Sequence, residues 1–110
     1  MTIKNIGKTA HEVNKNNGWD VFQPSDWPSK LSKDNIRFLC THTALIHTEV
    51  AEATEAIRNR DKENFIEELA DTVIRIASIA HGLGVDLGPV IKKKIKKNST
   101  RGLHHGGKAI

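Results

Sequence analysis

Glu49 and Glu52, and further along Glu68 and Asp71, form two acid pairs, each at i,i+3 spacing. On a helix that spacing puts both carboxylates on one face, about one turn apart. The pairs flank a short polar break, Arg58-Asn59-Arg60-Asp61, at matched distances: counting outward from residue 60, Glu52 stands level with Glu68, and Glu49 with Asp71. Flanking helices that fold back antiparallel would bring all four carboxylates to one patch. Like charges at such range repel strongly unless neutralised, and a hard divalent cation neutralises them through oxygen ligands. The acids therefore predict a metal site held by Glu49, Glu52, Glu68 and Asp71. Neither pair contains the Glu-x-x-His of a di-iron bundle. An all-oxygen set favours Mg2+, with Mn2+ as a substitute.

The elements that must position these acids are legible as helices. Apolar residues recur at helical spacing in four segments and alternate at strand spacing in none. The first helix spans about 3–16, with Ile3, Ile6, Ala10 and Val13 on one stripe, and Asn16-Asn17-Gly18 ends it. Gly7 inside it costs about 1 kcal/mol relative to Ala. Pro24 and Pro28 keep residues 18–33 irregular, and Trp19, Phe22 and Trp27 lie there either as packing groups or as a stacking surface for a base.

The second helix spans about 34–58, with Asp34 as its cap and a stripe of Ile36, Leu39, Thr43, Ile46, Val50, Ala53 and Ile57. The third spans about 61–81 with Ile66, Leu69, Val73, Ile76, Ala80 and Leu83. Steps of three and four in both stripes predict the seam of a packed bundle. The acids then border that seam, partly desolvated, with Arg75 one turn beyond Asp71. A short link makes the two helices an antiparallel hairpin. Asp86 caps a fourth helix over about 86–98, and a basic, Gly-rich tail covers 99–110.

One domain fits 110 residues, and 37% hydrophobic content is lean for a wide monomeric core. Low aromatic content and helices apolar on two sides favour a homo-oligomer. Cys40 is the only cysteine, expected as a small core hydrophobe; it excludes an internal disulfide and suits a reducing cytoplasm. No apolar run has the length of a membrane span. The net charge is +4, with seven Lys or Arg and no acid from Lys92 to Lys108. Such a basic end beside an acidic centre fits a polyanion bridged by metal. A nucleic-acid-binding or regulatory helical module is the rival, but nucleic acid gains nothing from an acidic cluster near the lysines.

Thr48-Glu49-Val-Ala-Glu52, followed by Glu67-Glu68-Leu-Ala-Asp71, resembles the ExxE…ExxD signature of the MazG-like all-α nucleoside triphosphate pyrophosphatases. Gly18-Trp19-Asp-Val-Phe22 is similar to the loop after their first helix. Lys94 to Arg101, then His105-Gly-Gly-Lys108, is similar to the C-terminal segment of short, phage-like members. The resemblance implies an all-α four-helix bundle with the metal-binding hairpin at its centre, assembled as a dimer or a dimer of dimers. It implies an enzyme that splits (deoxy)nucleoside triphosphates between the α- and β-phosphates, releasing monophosphate and pyrophosphate in nucleotide-pool cleaning. Glu49, Glu52, Glu68 and Asp71 then serve metal binding and catalysis together. Lys94, Asn98 and Arg101, which share a helical face, and Lys108 in the tail would hold the phosphates. Trp19 would lie near the base.

Overall fold

Short-range hydrogen bonds decide where each helix starts and stops. The computed structural model of the chain describes residues 1–100. It contains four α-helices and no strand among those residues: α1 (Ile3–Asn16), α2 (Lys33–Arg58), α3 (Lys62–Gly82) and α4 (Leu87–Ser99), with a 3-10 turn at Pro24–Asp26. The sequence-based boundaries agree to within one residue at every end. The cap of α2 differs. Ser32 Oγ accepts from the Asn35 amide and Asn35 Oδ1 accepts from the Ser32 amide, both at 3.0 Å. This reciprocal box satisfies two backbone donors where Asp34 would satisfy one. Asp34 instead lies in the first turn, favourable to the helix dipole. Asp86 caps α4 as expected, and Asp61, where α3 was expected to start, caps that helix.

Helices α1, α2 and α3 end in the same device. In each, the residue after the C-cap takes a positive φ (Gly18, Arg60, Gly84), and the next amide bonds back across the last turn. The bonds are Trp19 N–H to Asn14 O (3.0 Å), Asp61 N–H to Ala56 O (2.9 Å) and Val85 N–H to Ala80 O (2.8 Å). These are Schellman closures. The middle one lets α2 run into α3 through only Asn59–Asp61, which fixes the hairpin.

Helix α3 is the centre of the fold, packed on α1 and on α2. Small residues make the contacts: Ala53, Ala56, Ala77 and Ala80 are buried, with Phe22, Leu39, Gly7 and Gly82. Helix α4 touches α1 and buries no residue.

The faces that meet coincide only in part with the apolar stripes expected from the periodicity: Leu39, Ile46, Ala53 and Ala80 do turn inward. The line of α2 that turns inward is Leu39, His42, Ile46, Glu49, Ala53 and Ala56, and the line of α3 is Phe65, Glu68, Thr72, Arg75 and Ile79. All are buried or half-buried. Val50, Ile57, Ile66, Leu69, Val73 and Ile76, expected in the seam, are exposed. Helix α3 has two faces taken by α1 and α2, and its third face, with Ile66, Leu69, Val73 and Ile76, is exposed among the described residues. Cys40, beside the inward Leu39, is likewise exposed rather than in the core.

Gly7 marks the crossing of α1 over α3, where a Cβ would collide with the Ala77 carbonyl oxygen. Alanine there recovers about 1 kcal/mol of helix propensity, but prising the helices apart costs about 1–3 kcal/mol. The obstacle is backbone, which cannot swing aside as a side chain can. Gly7→Ala should therefore lower the thermal midpoint. A raised midpoint would show a looser crossing than the one described.

Candidate active site

The hairpin sets the acids on facing lines. Glu49 lies on the inward line of α2 and is only 8% exposed. Glu68 lies on the inward line of α3, and Asp71 follows one turn later at its exposed edge. One carboxylate oxygen from each of Glu49, Glu68 and Asp71 comes within 4.8 Å of the others. Glu52 is exposed and outside that close triad, yet its carboxyl lies near those of both Glu49 and Glu68 and perturbs them.

Charge is managed unequally across the group. Arg75 Nε–H donates to Glu49 Oε1 at 2.7 Å, and this bond holds the Glu49 carboxyl below its ordinary pKa of 4.5 despite burial. Burial, with the carboxyls of Glu49 and Glu52 alongside, pushes Glu68 up to about 7. Glu68 Oε2 is buried without a hydrogen-bond partner among the described residues. A buried polar oxygen of this kind carries a desolvation cost unless a cation or donor meets it.

Beside the acids lies a cleft of about 560 Å3 lined by Asn14, Trp19, Asp20, His42, Leu45 and Arg75. Its rim is built by the loop after α1. The closure at Gly18 presents Trp19, which is 70% exposed. Phe22 anchors the loop, packing on Phe38 and His42 with ring centroids 5.2 and 5.6 Å away. The Phe22 carbonyl lies 3.0 Å from His11 Nε2, which fixes the tautomer with hydrogen on that nitrogen. Gly82 lets α3 approach the Phe22 backbone, where a Cβ would collide.

A family model for the MazG nucleotide pyrophosphohydrolase domain matches residues 40–105. The chain belongs to this family. No curated protein and no solved structure matches the chain. The matched span takes in both acid pairs, the hairpin and α4, while α1 and the aromatic loop lie outside it. No single helix among the described residues is long and apolar enough to cross a membrane.

MazG domains are nucleotide pyrophosphohydrolases and generally use a divalent metal. The residues of this chain fit one: the donors are all oxygen, three converge, and a partnerless buried oxygen of Glu68 belongs to the set. The other expected site residues are more scattered. Lys94 and Asn98 are exposed on α4, one turn apart. Arg101 and Lys108 lie outside the described residues. Arg75, Asp20, Asn14 and His42 join the site without having been singled out by motif. Arg75 did carry a signal, as a base seven residues beyond Glu68 on the same helical line.

The raised pKa of Glu68 has a signed consequence for this MazG domain. A carboxyl whose pKa rises from 4.5 to about 7 on folding contributes stability below pH 4.5 and loses it as pH climbs through 7. The lowered Glu49 acts in the opposite sense and only below pH 4.5. Metal-free protein should therefore show a falling thermal midpoint from pH 5 to 8. Mg2+ should raise the midpoint at pH 8 more than at pH 5, since it binds the deprotonated ligands. Glu68→Gln should flatten both responses, and thermal melts across this range would detect a failure of either.

Proposed function

We propose that the protein hydrolyses (deoxy)nucleoside triphosphates between the α- and β-phosphates, in the presence of Mg2+ or Mn2+, to a monophosphate and pyrophosphate. The observation that carries this reading is the convergence of Glu49, Glu68 and Asp71, of which Glu68 also has a buried partnerless oxygen, next to a cleft with an exposed indole. Membership of the MazG family supplies the reaction class.

Glu49, Glu68 and Asp71 hold the ion, and Glu52 completes the set from the solvent side. When bound, the ion supplies charge neutralisation at the phosphates and a more acidic water. A carboxylate oxygen left over from ion binding accepts the proton of the attacking water. Attack at the α-phosphorus releases pyrophosphate as the leaving group. Lys94 and Asn98, with Arg101 and Lys108 beyond them in sequence, hold the phosphate tail. Trp19 stacks on the base, and the surrounding cleft walls exclude water from it.

The exposed stripe Ile66, Leu69, Val73 and Ile76, with Val50 and Ile57 on α2, supports a homodimer or homotetramer in which a second copy covers the hairpin. Such a pairing keeps the acids between α2 and α3 while removing the apolar surface from water.

Product analysis after incubation with a panel of triphosphates and Mg2+ tests the reaction: monophosphate plus pyrophosphate is expected, and diphosphate plus orthophosphate would contradict it. Asp71→Ala should abolish metal-dependent turnover with the helical fold kept; retained turnover would remove Asp71 from the site. A base stacked on an indole is worth about 1–3 kcal/mol, so Trp19→Ala should raise KM about ten- to a hundredfold, unequally among bases. Its exposure predicts an unchanged thermal midpoint. A lowered midpoint with unaltered base preference would make Trp19 a packing residue instead.

A further inference from the structure

Arg75 belongs to neither acid pair, yet its side chain touches both halves of the site. It donates through Nε to Glu49 Oε1 at 2.7 Å and also lines the cleft beside Trp19, Asp20 and His42. The bond differs from the other arginine ion pairs among the described residues. Arg37–Asp34 and Arg58–Glu55 each lie within one helix, at 3.5 Å, with both partners well exposed. Arg75–Glu49 is shorter, joins α3 to α2 and ends on an acid shielded from water. Guanidinium carries five N–H donors in a planar fork. One is used here, and no hydrogen bond among the described residues takes those on the two terminal nitrogens. The bond engages Oε1 of the same carboxylate that contributes an oxygen to the cluster with Glu68 and Asp71.

Building on the reading that Glu49 helps hold the ion, we propose that Arg75 is the positioning residue of the acidic centre, locking the Glu49 carboxylate toward Glu68 and Asp71 while offering its unused N–H groups to an oxygen of the nucleotide in the cleft. The guanidinium thereby ties the geometry of the metal ligands to the substrate-binding cleft. A mere counterion would behave with the opposite sign. Removing a positive charge beside acids strengthens their attraction for a cation, whereas removing the group that orients a ligand weakens metal affinity about ten- to a hundredfold.

Calorimetric titration of the full chain with Mn2+ alone, at pH 8 and without nucleotide, separates these roles. Arg75→Gln should bind Mn2+ about ten- to a hundredfold more weakly than wild type. Arg75→Lys keeps the charge and most of the stem but loses the fork, and should fall between the two. Circular dichroism and thermal melts identify variants that remain folded, and the conservative Arg75→Lys keeps the comparison open should Arg75→Gln unfold. Unchanged or tighter binding in a folded Arg75→Gln variant would overturn the positioning role, and wild type that binds no Mn2+ would overturn the metal site with it. In turnover assays at saturating Mn2+, Arg75→Gln should recover most of kcat while KM for the triphosphate stays raised, because the donors lost from the cleft are not replaced by metal. A wild-type KM would overturn the cleft contact. Wild type that binds Mn2+ but turns over no triphosphate would fail the pyrophosphohydrolase reading alone, and the Mn2+ comparison would still decide the role of Arg75.

Discussion

Carboxylate oxygens gathered within 4.8 Å, one of them on a glutamate almost wholly shielded from water, are the arrangement around which the rest of this protein is organised. Without a cation the group is compensated by two partial means. Arg75 stabilises the charge on Glu49, and Glu68 retains a proton to higher pH than an ordinary glutamate. Neither supplies a partner for Glu68 Oε2. A protein that needed only stability would fill this space with apolar side chains, since a poorly compensated buried acid is a cost. Acids held in this way fit a function that uses their shared charge.

Other features of the fold follow from giving the inner face of the hairpin to polar groups. With Glu49, Glu68, Thr72 and Arg75 turned inward, the larger members of the apolar stripes, Val50, Ile57, Ile66, Leu69, Val73 and Ile76, turn outward. The buried core is then made of alanines and glycines with Phe22 and Leu39, and close backbone approach at Gly7 and Gly82 takes the place of large interdigitating side chains. The same approach anchors the loop that carries Trp19 and Asp20 to the rim of the cleft. The geometry of the acidic centre and the placement of the cleft rim thus share one packing solution around α3.

Much of this was readable in the sequence because its causes are local. Helix ends depend on residues a few positions apart, such as Asp61, Asp86, Gly18 and Gly84, and the i,i+3 acid pairs with the short link between them predict convergence. The family followed from the same acids and the C-terminal segment, and the match over residues 40–105 bears it out. Which side of each helix faces inward was not readable. Periodicity reports that a face is apolar, not whether its partner lies in the same chain, so Ile66, Leu69 and Val73 looked like core and are exposed. Glu49 therefore sits deeper than the edge of a seam. Arg75 was legible only as a cation one turn beyond Asp71, and Asp20 not at all, because single charged residues have no signature until the tertiary fold brings them to a cleft. Cap choice at Ser32 over Asp34 turned on a reciprocal side-chain bond, and both residues suit the position by type.

The central claim is that Glu49, Glu68 and Asp71 are held together to bind a divalent cation. Crystals grown with Mn2+ and recorded at an X-ray wavelength where manganese scatters anomalously would locate the ion directly. An anomalous difference peak is expected between the carboxylates of α2 and α3, within oxygen-ligand distance of Glu68. A peak elsewhere on the chain with this cluster left empty, or none at a Mn2+ concentration that supports turnover, would contradict it.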